Sequence, residues 1–307
     1  MDKYKDVQGG KPVHLLNVER VGVRNVRVPI TVRRGDDVFN LSVNLNVFVD
    51  LPSWRKGADM SRTIESINSV INGHKNEDAI EHVSMEICKE CLRRFDYSSK
   101  AMVEMSTVIF LNRNASGGSE SLVPYEVRVN SELERNGASK TSLSVEIMVI
   151  NACPCAMETA RTILKERIPE ASDILDKIPV ITHNQRNHIV IKIEYTGSLD
   201  IEIKNIIEFV EKRMNGSLLP LLKRSDEGEM VVRAHLNPMF VEDIVRDISF
   251  NIVRNFSEIE DDVKLTVSSE SEESIHPHNA FAEISSTFGQ IRKENNKAHH
   301  TFVWVPG

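Results

Sequence analysis

Alternating apolar and polar residues predict strands in the first half of the chain. Nearly every second residue is apolar between Leu41 and Val49, and again between Val103 and Leu111. A period of two is typical of a strand with one buried face. Further strands are predicted over 13–30 and, after a turn rich in Gly and Ser, over 122–129.

Two helices are predicted between these strands. Apolar residues recur there at helical spacing on two successive faces, bounded by capping residues and by Gly73. The second helix carries Cys88 and Cys91 one turn apart, with no second Cys or His pair nearby. Free cysteine is among the most buried residue types, so we interpret both as packing residues. The two apolar faces are Ile64, Ile67 and Ile71, and then Ile80, Val83, Ile87 and Cys91.

The same order of elements recurs after a polar segment at 131–140. We therefore predict an α+β protein of two tandem β-β-α-α-β-β domains, at 1–135 and 136–307. Each domain would form an antiparallel sheet with two helices on one face, and the uncovered face indicates oligomerisation. The second copy is predicted from strands at 145–149, 189–195, 265–267 and 280–284 and from helices at 203–214 and 241–252.

Two long insertions distinguish the second copy from the first. They span 152–186 and 218–237, and we expect both to be irregular and functional. The polar C-terminal segment 293–307 is interpreted as a tail or a subunit contact.

Composition narrows the class of protein. The 307 residues carry a formal net charge of −7, which argues against a broad nucleic-acid surface. No apolar run is long enough to cross a membrane, and the N-terminus has no signal-peptide pattern. These features predict a soluble, cytoplasmic protein. The four cysteines are then expected to be thiols or metal ligands and not disulfides.

The insertions and the last connection hold residues that could carry chemistry. Cys153 and Cys155 flank Pro154, and His276 and His278 flank Pro277. With His183 and Glu227 they form a mixed sulfur, nitrogen and oxygen set that suits Zn²⁺ or Fe²⁺ better than Ca²⁺ or Mg²⁺. Spacing alone does not show that they meet, and each has a structural alternative as a packed, hydrogen-bonded or solvated residue. Glu229 and His235 are further candidates of the same kind.

Five motifs in order carry a family resemblance. They are Cys-Pro-Cys, His-Asn-Gln-Arg, Lys-Arg-Ser-Asp-Glu, Asn-Pro-Met-Phe-Val-Glu-Asp and Glu-Ser-Ile-His-Pro-His-Asn-Ala. This set resembles GTP cyclohydrolase type IB from about residue 12 to residue 290. The long connection after Cys-Pro-Cys resembles the archaeal, methanopterin-pathway branch. Lys-Gly-Ala-Asp-Met-Ser-Arg, at 56–62, also looks like a segment of the family, Lys/Arg-Gly-x-x-Met-Ser-Arg. Asp59 in this segment departs from one common form of the pattern, because many bacterial members have His there.

The resemblance implies a bimodular tunnelling fold (T-fold) and a homotetramer, or a homodimer, with active sites between subunits. Its implied metal is Fe²⁺, with Zn²⁺ or Mn²⁺ as substitutes. The implied ligands are Cys153, His183, Glu227 and His276, with Cys155 as a nearby catalytic thiol beside Cys153 and His183. The choices between Cys153 and Cys155 and between His276 and His278 stay open.

The substrate implied by the resemblance is GTP. Glu242 would hold the guanine edge, because a carboxylate accepts two parallel N–H bonds. Arg186, Lys223, Arg224 and Arg233 lie near the candidate ligands and are of a kind that suits phosphate binding. Of these, Arg186, Lys223 and Arg224 are predicted to contact the triphosphate.

The implied reaction opens the guanine ring at C8, releases formate and forms 7,8-dihydroneopterin 2′,3′-cyclic phosphate and diphosphate. Alternatives are the bacterial product 7,8-dihydroneopterin triphosphate, another tunnelling-fold enzyme acting on a pterin or deazapurine, and a non-catalytic purine-binding protein.

Overall fold

A computed structural model describes residues 6–34, 37–73, 79–199, 201–214 and 216–301. The strands follow one another in a single eight-stranded antiparallel sheet of order β1 to β8, which confirms the α+β class. They are β1 (Val18–Arg34), β2 (Asp37–Leu51), β3 (Lys100–Asn114), β4 (Glu120–Glu134), β5 (Ser139–Ala152), β6 (Asn184–Tyr195), β7 (Lys264–Glu272) and β8 (Ala280–Thr287).

The helices come in the predicted places, with additions. The first half contains α1 (Met60–Gly73) and α2 (Ile80–Arg94) between β2 and β3. The second half contains α3 (Pro154–Arg167), α4 (Ser172–Leu175), α5 (Ile203–Arg213), α6 (Arg224–Leu236), α7 (Val241–Asn255) and α8 (Phe288–Thr301).

The chain divides into two compact units. The first comprises Met1–Ile109, Glu126–Ser144 and Glu194–Ser198, and the second comprises Phe110–Tyr125, Val145–Ile193 and Leu199–Gly307. The boundary between residues 135 and 136 stays a prediction, as does the tandem repeat.

Register in the first unit follows from the apolar alternation. Leu45 of β2 pairs with Met105 of β3, and Val47 pairs with Val103. All four side chains are buried, because each strand turns the same set of alternate residues to one face.

The two cysteines of α2 are packing residues, as predicted. Cys88 and Cys91 are fully buried on the face that α2 turns inward. Burial raises the pKa of the Cys88 thiol well above its usual value and raises that of Cys91 to about 11. Both thiols therefore stay protonated near neutral pH, which disfavours metal ligation.

Helix α7 forms the main helical layer of the second unit. It packs against β7 and β8, and α5 packs against it. Its buried face contains Ile244, Ile248 and Ile252, which recur at the spacing that predicted this helix.

The insertions are more regular than the sequence pattern predicts. Residues 152–186 contain α3, a 3-10 turn at Pro169–Ala171 and α4, which enclose a small core of Met157, Leu175 and Val180. Residues 218–237 contain α6, so the expectation of an irregular segment there was wrong. The C-terminal segment continues α8 to Thr301, and 302–307 lie outside the described residues. Among the described residues no helix combines the length and apolar character needed to cross a bilayer.

Candidate functional site

Cys153 lies where β5 ends and α3 begins. It is the N-cap of α3, and its Sγ accepts a hydrogen bond from the Ala156 N–H at 3.5 Å. Pro154 occupies the first helical position, where its fixed φ suits a helix start and no backbone donor is lost. Cys155 lies exposed in the first turn of α3.

The structure brings His183 to Cys153. The Cys153 N–H donates to the His183 carbonyl oxygen at 3.2 Å. The Thr182 hydroxyl donates to the Cys153 carbonyl oxygen at 2.7 Å. The segment that enters β6 is therefore fixed along the cap of α3, and two of the four predicted ligands are neighbours.

The His183 ring faces the residues that follow β7. Its Nδ1 lies 3.4 Å from the Ser274 Oγ and 3.7 Å from the Glu273 Oε2. Both side chains of the His–Glu pair are largely buried, with 11% and 13% exposure. Partners on Nδ1 leave Nε2 as the other ring nitrogen available to a ligand. Glu273 and Ser274 open the motif Glu-Ser-Ile-His-Pro-His-Asn-Ala, but the sequence indicated no role for either side chain.

Asn151 ties three segments of the site together. Its Nδ2 donates to the Met239 carbonyl oxygen at 2.6 Å, and its Oδ1 accepts from the Met239 N–H at 3.2 Å. The Asn184 Nδ2 donates to the Asn151 carbonyl oxygen at 3.2 Å. The end of β5, the start of β6 and the segment before α7 are thereby fixed to one another. This brace positions the N-terminus of α7, and sequence reasoning missed it.

The remaining predicted residues lie on exposed positions. Glu227 lies in the first turn of α6, and Glu242 lies in the first turn of α7. The rings of His276 and His278 stack in the connection before β8, with centroids 5.1 Å apart and planes at 11°. Among the described residues no three His, Cys, Asp or Glu side chains are grouped to hold a metal ion. The four-ligand set therefore stays a prediction.

The predicted phosphate-binding residues are also exposed. Arg186 pairs with Glu272 through Nε at 3.0 Å, and Lys223 and Arg224 lie at the start of α6. Asp59, the departure from the family pattern, pairs with Arg55 at 2.9 Å and with Arg62 at 3.3 Å. Those ion pairs give position 59 a structural role in the loop before α1.

A charged cluster on β5, β6 and β7 lies next to this site. His188 Nδ1 is 2.7 Å from Glu146 Oε1, and its Nε2 is 3.1 Å from Glu272 Oε1. Partial burial is the largest influence on the pKa of His188 and opposes protonation. The hydrogen bonds to the two carboxylates outweigh it and raise the pKa of His188. Hydrogen bonding to His188 is the largest influence in lowering the pKa of Glu272.

We expect the stability contributed by His188 to depend on pH. A raised folded pKa means that this contribution is complete below the unfolded value of about 6.5 and is lost as pH rises through the folded pKa. His188→Gln should therefore lower the free energy of unfolding more at pH 5.5 than at pH 9. Urea unfolding of parent and variant at both pH values measures the difference. A larger loss at pH 9 would contradict the assignment.

Comparison with known proteins places the chain in a family. A family model described as type I GTP cyclohydrolase folE2 matches residues 4–282. The chain is 40% identical over 293 residues to GTP cyclohydrolase MptA of Thermoplasma acidophilum, covering 95% of this chain and 99% of the relative. The corresponding protein of Thermoplasma volcanium is 39% identical over 296 residues, covering 96% and 100%.

A solved structure shows likeness in fold alone. Uricase from Arthrobacter globiformis aligns with a TM-score of 0.53 at 8% identity, covering 90% of this chain and 95% of the uricase. The family itself rests on the matches that extend along almost the whole sequence. The chain therefore belongs to the type I GTP cyclohydrolase (folE2) family.

Proposed function

We propose that this hydrolase opens the guanine ring of GTP at C8 and releases that carbon as formate. The product would be 7,8-dihydroneopterin 2′,3′-cyclic phosphate, with diphosphate released. The observation that carries the proposal is the backbone hydrogen bond that places Cys153 beside His183 at the cap of α3, in a chain that matches its family along almost its whole length. The archaeal relatives, named GTP cyclohydrolase MptA, favour the first step of an archaeal pterin pathway.

The substrate would be held at both ends by residues of this chain. We propose that Glu242 accepts two N–H bonds from the guanine edge, since α7 presents this carboxylate in an exposed first turn. Arg186, Lys223 and Arg224 would contact the triphosphate. Cys155 is exposed beside Cys153 and could reach the substrate as a thiol that holds or donates a proton.

The donor chemistry fits a soft divalent metal, whereas the described arrangement supplies only part of a ligand set. We propose Cys153 and His183 as two ligands of Fe²⁺, or of Zn²⁺ or Mn²⁺ in its place, and Glu227 and His276 as the others. A metal bound by such ligands lowers the pKa of a coordinated water to near neutrality. Ser274 would orient the His183 ring, because its Oγ lies at hydrogen-bond distance from Nδ1, and the partly buried Glu273 carboxylate lies 3.7 Å from the same nitrogen.

Assembly would account for a ligand set that one chain does not complete. We propose two tandem tunnelling-fold domains per chain and a homotetramer, or a homodimer, with active sites between subunits. Glu227 and His276 are exposed, as residues that reach a neighbouring subunit would be in an isolated chain.

Anaerobic incubation with GTP and Fe²⁺ tests the activity. Formate and a dihydropterin should appear together, and the pterin is detected by its fluorescence after oxidation. The phosphate pattern of the pterin separates the cyclic product from 7,8-dihydroneopterin triphosphate. Failure to release formate from folded, metal-loaded protein would overturn the proposal.

Glu242→Gln should weaken use of GTP. The amide matches the size of the carboxylate but turns an N–H₂ donor toward the guanine N–H groups. Hydrogen bonds to a charged group contribute about 1.5–3 kcal/mol, so kcat/KM should fall about tenfold to a hundredfold. Asp243→Asn is the matched control, because Asp243 instead pairs with Arg246 on the surface of α7 at 3.2 Å. Equal effects of the two substitutions would remove Glu242 from the site.

Substitution distinguishes the roles of the two stacked histidines. His276→Ala should lower bound metal and formate release by about tenfold or more, as loss of a ligand does, whereas His278→Ala should have the smaller effect. Metal content after dialysis and the rate of formate release are the two measurements. A larger loss in His278→Ala would transfer the ligand role to that residue.

A further inference from the structure

A cavity of about 660 Å³ lies within the second compact unit. Ligand-binding pockets are typically about 300–1,000 Å³. The walls come from the end of β3 and its turn, from the end of α5 with the segment that follows it, and from one face of α6. The described residues that line it include none of Cys153, His183, Glu227, His276 and Glu242. These residues therefore do not line the cavity, although Leu222 and Asp226, which do, adjoin Lys223 and Glu227 in sequence.

Two of its acidic side chains already have strong hydrogen-bond donors. Glu211 accepts from Arg113 Nε at 2.8 Å, and also from the hydroxyl groups of Tyr125 and Ser217.

Asp226 accepts from the Gly117 N–H at 2.6 Å and from the Lys223 N–H at 3.1 Å. A Cβ at residue 117 would lie 2.9 Å from the Asp226 Oδ1, so glycine permits this close contact. Both carboxylates therefore accept hydrogen bonds from neighbouring segments of the cavity wall and stabilise it.

The basic side chains of the cavity have N–H groups that these contacts do not use. Within the part of the chain that the structure describes, Arg113 Nη2 and Arg233 Nε are buried and have no hydrogen-bond partner. The acid that pairs with Arg233 Nε there is Glu229, at 3.7 Å, which is longer than a hydrogen bond. Lys212 adds a third positive charge at the exposed edge. A buried donor without a partner costs about 1–3 kcal/mol, so acceptor oxygens from a ligand would recover that energy.

Part of the wall is apolar. Leu219, Leu222 and Met230 also line the cavity, and Met230 is 8% exposed. An inorganic ion would leave this surface uncovered, whereas an organic anion would contact both parts of the cavity.

We propose that this cavity is a second ligand site, which binds a small organic anion. Its phosphoryl or carboxylate group would accept hydrogen bonds from Arg113 and Arg233. Its apolar portion would pack against Leu219, Leu222 and Met230. The two guanidinium groups suit either anion, since both offer paired oxygens to a planar donor.

Titration calorimetry with phenyl phosphate tests the site, and benzoate in a parallel titration separates phosphoryl from carboxylate binding. The background is Arg186→Gln, which removes a predicted contact with GTP phosphate. Adding Arg233→Gln should weaken binding about tenfold or more, as loss of a charge-assisted bond does. Adding Arg254→Gln, an exposed arginine of α7 outside the cavity, should change nothing. Inorganic phosphate should bind more weakly than phenyl phosphate.

Two results would overturn the proposal. One is unchanged affinity in Arg233→Gln. The other is loss of all binding on Arg186→Gln alone, which would place the anion in the GTP site only. Lys212→Gln tests the same site without disturbing the fold, because Lys212 is exposed. Its replacement should still weaken anion binding severalfold, because a positive charge at the cavity is removed. Neither outcome depends on whether GTP is hydrolysed, so this test is independent of the proposed function.

Discussion

Cys153→Ser is expected to lower formate release from GTP by about a thousandfold or more, because the proposed metal would lose its thiolate and its activated water. A serine hydroxyl stays protonated near neutral pH and is a poor ligand for a soft metal. It can still accept the N-cap hydrogen bond that Cys153 Sγ now takes from the Ala156 N–H. The substitution should therefore remove activity and bound metal with little change in stability.

Cys91→Ser is the matched control for this experiment. Cys91 is fully buried, and burial raises the pKa of its thiol to about 11, so it takes no part in a thiolate site. The control should cost stability and leave the activity of the folded enzyme unchanged. Formate release, metal content by mass spectrometry and the melting temperature are measured on both variants. Full activity in Cys153→Ser would contradict the proposed role of this thiol and would favour Cys155 as the ligand instead.

The strands and the long helices could be predicted because their signal is local. Leu45 and Val47 of β2 show their buried face through alternation alone, and Ile244, Ile248 and Ile252 show theirs through helical spacing.

Helix α6 gave no such signal. Its buried residues are Asp226, Met230 and Ala234, and Gly228 lowers its intrinsic helix propensity. Its start is held by Asp226, which bonds to the backbone of Gly117, a contact between residues far apart in sequence. No window of sequence around α6 contains that information.

The residues of the candidate site also fall into those that the sequence indicated and those that it did not. Cys153 and His183 could be proposed because ordered motifs resembled a family, and their proximity then followed from how β6 begins beside the cap of α3. Glu273 lay in a quoted motif without an assigned role. Asn151 and His188 were missed, because an isolated Asn or His in a sequence has no feature that distinguishes it from a solvated residue. Their partners are set by the register of strands that lie far apart along the chain.

The largest loss of stability is expected from Glu211→Ala. Glu211 is 6% exposed and accepts hydrogen bonds from Arg113, Tyr125 and Ser217. Removing one partner of a buried charged pair typically costs about 3–5 kcal/mol, because the other charge stays buried without compensation. Arg113 would be left in that state, since its nearest other acid is Glu208 at 3.9 Å.

Glu208→Ala provides the control on the same helix, one turn away. Glu208 is 48% exposed, so its pair with Arg113 should contribute at most about 1 kcal/mol. Urea unfolding measures both variants. Tyr125 gives an independent reading, because burial and then its bond to Glu211 raise its pKa to about 12. Ultraviolet titration of Glu211→Ala should show the pKa of Tyr125 lowered only in part, since burial remains. Equal unfolding midpoints for the two variants would mean that another group balances the charge of Arg113 in Glu211→Ala. Arg113 would then not offer an unpaired N–H group to a ligand in the cavity.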